Sequence, residues 1–434
     1  MTQLLHRTLR GVLAAALVAL SSAALAAQVS QPVAGGEAAV GDAAICGDTA
    51  RDTDDRVKAC RAMVAGAPAD AAAHARLGGV LLDAGALEEA LPSLREAVRL
   101  APSNPVNRHR LAEALYYLDH DDEAVAEYRE AVRLDPKFAR AHVDLAEALA
   151  YLDRNDEALR SFDDAIAVAP ASALAYERKA GLLVEIERYE EALAVYAAFA
   201  AARPTDPDPH ALAGLLLMDL ERFPEAIAAY RSALAVAPAD AATHNDLGVV
   251  LQRMGSSAAA LDSYREAHRL DPATGIFLQN VLALLIELDR GDDALRIAEE
   301  RTTSRPDAES FHALGTVQLA LERNEAALAS AKESVARDST YIPGHLMVSI
   351  ALLQLERPEE ALAASLTLTR IAPREARGWA LAGLTAFAME RAEDAVGYLS
   401  EARRLSPGLF REQPMLEEAL DQAIALLAHR PPGP

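Results

Sequence analysis

The sequence is poor in the residues that build most reactive centres. Two cysteines in 434 residues exclude a disulfide-dense scaffold and a multi-cysteine zinc cluster. Aromatic residues make up 5% and there is one tryptophan, so the interior must close on small and aliphatic side chains. Lysine occurs only at Lys58, Lys137, Lys179 and Lys332. Arginine and lysine together number 42 against 65 acids, a net charge of −23. Such a field repels phosphate backbones and anionic lipid headgroups, so no nucleic acid is expected as a partner. P-loop, dinucleotide-binding glycine, HExxH and GxSxG motifs are all absent. Carboxylates are too many for one pair to stand out as catalytic. Neither an enzyme activity, a metal nor a cofactor is expected.

Long apolar runs are also missing, apart from one at the N-terminus. There "MTQLLHRTLR" carries Arg7 and Arg10, "GVLAAALVAL" is apolar, and small residues at Ala24 and Ala26 follow. That order is the charged, apolar, A-x-A signature of a secretory signal peptide over residues 1–26, with an uncleaved anchor as the alternative. Cleavage would remove two arginines and no acid, taking the net charge from −23 to −25. No cysteine lies at the cleavage region, which excludes a lipoprotein signal. The expected location is periplasmic or secreted, and membrane association would come only through a partner or an uncleaved signal. In that oxidising setting Cys46 and Cys60 are expected to pair as a disulfide, in a segment 27–70 that also holds one helix. The loop closed in this way would stabilise the fold by roughly 3 kcal/mol.

What the sequence has in abundance is repetition. "LERFPEAI" at 220 has close copies at 152, 186, 288, 321, 355 and 389. Prolines at 102, 136, 170, 204, 238, 272 and 306 are spaced by 34 residues, and the register resumes at Pro373 and Pro407. A second column is all alanine, at positions 90, 124, 158, 192, 226, 260, 294, 327, 361 and 395. Each unit alternates two helical patterns with a turn. His142, Leu145, Ala146 and Leu149 form one stripe, and Ala158, Phe162 and Ala165 form the facing one. A proline after the second helix stops it, and the alanine column lets the pair approach closely.

In the sixth unit His244, Leu247, Gly248, Leu251, Ala260, Tyr264, Ala267 and Pro272 resemble the tetratricopeptide repeat. Trp379, Gly383, Ala395, Ala402 and Pro407 do so in the last. The resemblance implies an all-α, right-handed α-α superhelix of about ten helix-turn-helix repeats over 71–409. Capping elements lie before it and over 410–434. Two departures stand out. The turn column, often glycine in the family, mostly holds Asp or Glu followed by Arg. An L-residue with positive φ costs roughly 1–2 kcal/mol, so either the turn avoids that region or packing overrides the cost. The other is the junction "RTTSRPDAESFHALG", one residue short and with Arg301 and Ser304 in apolar positions, which reads as the softest interface.

The family's tryptophan column is filled here by His74, His142, His210, His244 and His345, with Tyr176, Phe311 and Trp379. A packing role is expected of it, because helices about 8–10 Å apart do not bring two imidazoles within about 2.1 Å of one zinc. The resemblance also implies that first helices line a concave groove that binds a protein or peptide segment. Carried onto this sequence, it gives three zones. The first holds His109, Arg110, Glu113, Tyr116, Tyr117, Asp144, Glu147 and Tyr151. The second, rich in amides, holds Asn245, Asp246, Gln252, Arg253, Gln279 and Asn280. The third is apolar, with Leu346, Ile350, Leu353, Leu384 and Phe387, and the final helix would compete for it. The leading expectation is an exported interaction scaffold. The alternative is a helper in polysaccharide export or assembly that contacts glycan through the groove.

Overall fold

A computed structural model describes residues 42–428. The signal segment 1–26, the stretch to residue 41 and the tail 429–434 lie outside the described residues. Among those described there are 24 helices and no strands, and two compact units that part between Pro238 and Ala239.

The first unit opens with α1 (Asp42–Gly47) and α2 (Thr53–Gly66). Three hairpins follow: α3 (Ala71–Asp83) with α4 (Leu87–Leu100), α5 (Pro105–Tyr117) with α6 (Asp121–Leu134), and α7 (Ala139–Tyr151) with α8 (Asn155–Val168). Two more complete it, α9 (Ala173–Glu185) with α10 (Tyr189–Ala202) and α11 (Asp208–Asp219) with α12 (Phe223–Val236). The second unit begins with α13 (Ala241–Arg253) and α14 (Ser257–Leu270), then α15 (Gly275–Glu287) and α16 (Gly291–Ser304). It continues with α17 (Ala308–Ala320) and α18 (Asn324–Arg337), α19 (Ile342–Gln354) and α20 (Pro358–Ile371), and α21 (Ala376–Ala388) and α22 (Ala392–Leu405). It closes with α23 (Pro407–Glu412) and α24 (Pro414–Ala428). The fold class is the all-α helix-turn-helix solenoid.

The alanine column explains the hairpins. All ten of its residues are 0% exposed, so a larger side chain there would have to push two helices apart. The facing position on the first helix is small in every hairpin but one, where Leu282 stands on α15. At Gly248 an added Cβ would lie 2.6 Å from the ring of Tyr264, so only glycine lets that ring lie flat against α13.

Packing overrides the turn penalty. Asp119, Asp153, Glu187, Glu221, Asp289, Glu322, Glu356 and Glu390 all have φ between 56° and 60°, and Gly85 and Gly255 take the same role at 72° and 73°. Every hairpin thus keeps the left-handed turn. The arginine after the acid offsets part of the strain by clasping the next helix's first turn. Arg188 reaches Glu191 at 2.6 Å, and Arg222 reaches Glu225 at 2.7 Å. Arg188 also meets Asp156 of the preceding hairpin at 3.4 Å. The acid–arginine edge is therefore solvated but largely paired with itself.

The tryptophan column has a common hydrogen bond. His74, His142 and His345 place Nε2 at 3.0, 3.1 and 2.9 Å from the carbonyls of Pro68, Pro136 and Ser339. Trp379 Nε1 donates to Pro373 O at 3.0 Å, and Arg108 Nε donates to Pro102 O at 2.9 Å. A carbonyl only accepts, so each of these imidazoles carries its proton on Nε2. The donor holds the loop six residues before it against its own helix.

Both ends differ in detail from expectation. Besides the helix α2, the short α1 precedes it, and Cys46 on α1 is disulfide-bonded to Cys60 on α2 with Cα atoms 5.0 Å apart. At the other end the capping segment is two helices, because Pro414 begins a new one after α23. Phe410, Leu416 and Leu420 are buried there against Leu399. The shortened junction is pinned by polar bonds. Asp307 and Ser310 form a capping box, and Ser334 Oγ donates to Ala308 O at 2.7 Å.

Candidate protein-binding face

Within each unit the first helices lean on one another. The pairs α3/α5, α5/α7 and α7/α9 touch in the first unit, as do α15/α17, α17/α19 and α19/α21 in the second. Side chains about 35 residues apart therefore meet across neighbouring first helices, and this offset decides which expected groove residues are available.

In the first unit it joins His109 to Asp144, Nε2 to Oδ2, at 2.7 Å. Both residues are buried, and Arg140 Nε adds 2.8 Å to the same carboxylate. His109 also packs against Phe138, ring centroids 4.9 Å apart. These two are interior links between hairpins and not groove surface, which corrects the expectation. Arg110 is likewise occupied. Its guanidinium lies over Gly79 and donates to Ala75 O at 3.1 Å.

The tyrosines are available. Tyr117 and Tyr151 are 57% and 62% exposed. Half-buried Tyr116 lies between them, 5.8 Å from the Tyr117 ring and 6.0 Å, edge-on, from Tyr151. Burial pushes the Tyr116 hydroxyl above its ordinary range, and the carboxylates of Glu147 and Asp121 add to the shift. Burial also raises Glu147, against the opposing pull of Arg178, which sits 3.0 Å away. Asp121 Oδ1 is buried without a protein partner. Glu113 is half-buried one turn before Tyr117. Asp121 and Arg178 were not singled out in the sequence. The 34-residue register applied to Asp144 leads to Arg178, and Asp121 follows Tyr116 just past the turn.

The amide zone of the second unit closes on itself. Asn280 Nδ2 donates to Asn245 Oδ1 at 2.7 Å, and Asn245 Nδ2 reaches Asp246 Oδ1 at 3.4 Å. Gln252 accepts from the Tyr264 hydroxyl at 2.9 Å and donates to Glu287 at 2.7 Å. Burial raises the Asp246 carboxyl and pushes Tyr264 up to about 12. Gln279 is half-buried and Arg253 exposed. The apolar zone is largely drawn into packing, with Ile350, Leu353, Leu384 and Phe387 half-buried. Leu346 is buried with Leu368 and Leu381, while Leu384 and Phe387 pack into the cluster completed by α24. Among the described residues no group of three or more His, Cys, Asp or Glu could hold a metal, and no helix is long and apolar enough to cross a membrane.

Two family models match. One, described as TPR repeat, covers 112–153 and 214–255; the other, tetratricopeptide repeat, covers 50–105, 143–207 and 346–410. Together they take in more than half of the chain. The chain belongs to the tetratricopeptide-repeat family. No curated protein matches this tetratricopeptide-repeat sequence. Among solved structures, yeast Tom70 is 14% identical over 87% of this chain and 92% of its own, with a TM-score of 0.46. MamA is 20% identical over 35% and 90%, with a TM-score of 0.34. MamA from Desulfovibrio magneticus RS-1 is 24% identical over 39% and 96%, with a TM-score of 0.32. At these TM-scores the likeness carries no argument about partners.

Proposed function

We propose that this tetratricopeptide-repeat protein is an exported, non-catalytic scaffold that holds a peptide or protein segment against its first helices. The location rests on the charged, apolar and small-residue order of residues 1–26. The binding role rests on one observation, the open tyrosine corner in which Tyr116, Tyr117 and Tyr151 of two successive hairpins meet with two rings more than half exposed. Tyrosine is enriched where protein surfaces bind strongly, because it offers a large rigid ring at low entropic cost. Repeats of this family serve protein–protein interaction, which agrees with that reading. Affinity capture from an envelope extract tests it. The wild-type chain should retain a protein, and the double variant Tyr117→Ala/Tyr151→Ala should lose it while circular dichroism stays helical. Retention that ignores both tyrosines would remove this site.

A further inference from the structure

A five-residue phrase occurs twice in the same register, "EALYY" at 113–117 and "EALAY" at 147–151. Residues four apart share a helix face, so Glu113 precedes Tyr117 by one turn on α5 and Glu147 precedes Tyr151 by one turn on α7. The phrase does not recur on the flanking first helices, where Gly79 and Asp83, or Gly181 and Glu185, stand in its place. Two glutamate–tyrosine pairs therefore lie side by side on helices about 8–10 Å apart. Tyr116 closes the gap between the rings, and the unpartnered Asp121 Oδ1 begins the helix behind it. Nearby cations of the chain are already held: Arg110 by Ala75 O, Arg140 by Asp144, and Arg178 by Glu147.

We propose that this corner seats two basic side chains, three residues apart, of an extended partner segment. The inference rests on the protein-binding reading above. An ammonium or guanidinium over an exposed tyrosine face is attracted by the ring, and more strongly with a carboxylate one turn away; Glu113 supplies that carboxylate on α5, while Glu147 on α7 shares its own with Arg178. In the extended polyproline II conformation a chain advances about 3.1 Å per residue and returns to the same face every third residue, so positions i and i+3 span the separation of α5 and α7. Charge complementarity selects the occupant. Every ionisable neighbour acting on the Tyr116 hydroxyl is negative when ionised, and the chain carries −23 overall. An acidic segment is repelled there, and a neutral glycan gains from the rings and from hydrogen bonds to the carboxylates but brings no charge to match theirs.

Fluorescence anisotropy with the full chain and a labelled Gly/Ser peptide tests this, with lysine at two positions three residues apart. The lysine peptide should bind, and the same peptide with glutamate in those positions should not. Tyr117→Ala/Tyr151→Ala should weaken binding at least about tenfold, and Glu113→Gln about threefold, with helicity unchanged. Raised salt should weaken it further. Equal binding of lysine and glutamate peptides, indifference to Glu113→Gln, or capture on a glycan array in place of peptide would overturn the proposal. The two readings fail separately. If tyrosine-dependent capture from extract persists but the lysine peptide neither binds nor competes, the scaffold stands and the basic occupant falls.

Discussion

The tyrosine corner of α5 and α7 and the amide cluster of α13 and α15 each join two successive first helices of one unit, yet they end in opposite states. In the first, two rings are left to solvent and the buried Asp121 Oδ1 is left without a protein partner. In the second, Asn245, Asn280 and Gln252 have bonded to one another, to Tyr264 and to Glu287. The difference comes from what stands about 35 residues away. An amide that finds a partner on the next helix becomes part of the scaffold, whereas a tyrosine that finds another tyrosine's edge remains a surface. Polar residues in a groove column are therefore not equivalent candidates.

The largest expected effect separates the two regions by binding. Tyr117→Ala/Tyr151→Ala should lower partner affinity at least about tenfold, while Gln252→Ala should change it less than about twofold, measured by anisotropy. Stability should show the reverse. Asn245→Ala strips Asn280 of its half-buried acceptor and should cost about 1–2 kcal/mol in urea unfolding, against about 0.5 kcal/mol or less for Tyr117→Ala. A third change should act alike in both units. Glu187→Gly relieves a left-handed acid and should stabilise by about 1 kcal/mol, and Gly255→Glu should destabilise by about as much. The smallest effect is in pH. Burial raises the Glu147 carboxyl, so its ionised form costs the fold something above the unfolded pKa, and protonation on acidification relieves that cost. A bound cation needs the ionised form, so affinity should fall by about two- to threefold from neutral pH toward about pH 5. Glu147→Gln should flatten that dependence.

The hairpins were legible because the alanine column never changes residue type and the proline column keeps its spacing of 34 up to the shortened junction, and because full burial of alanine has one physical meaning. Positive φ at the turns was not legible. The acids there are typical solvent-exposed residues, and only the packed helices on either side force their backbone into that region. The donor role of His74 and His142 was hidden for a related reason. Histidine in a tryptophan column reads as bulk, and the shared N–H toward a loop carbonyl appears only when the loop is in place. Tyr116, Tyr117, Tyr151 and Glu147 were singled out from the sequence and do meet. Arg110, Asp144 and Leu346 were singled out by the same logic and do not lie open, because position in a column says which helix carries a residue and not whether its neighbour consumes it. The second short helix at the N-terminus left no periodic trace in its six residues.

The bond from His74, Arg108, His142, His345 and Trp379 back to the sixth preceding carbonyl runs from a first helix to the loop just before it, so a 34-residue block cut at the end of a second helix keeps it whole. Duplication or excision of one complete 34-residue block would carry its own fastener with it and leave every other fastener untouched. Such a chain can change length in evolution by whole modules without first relearning how to close.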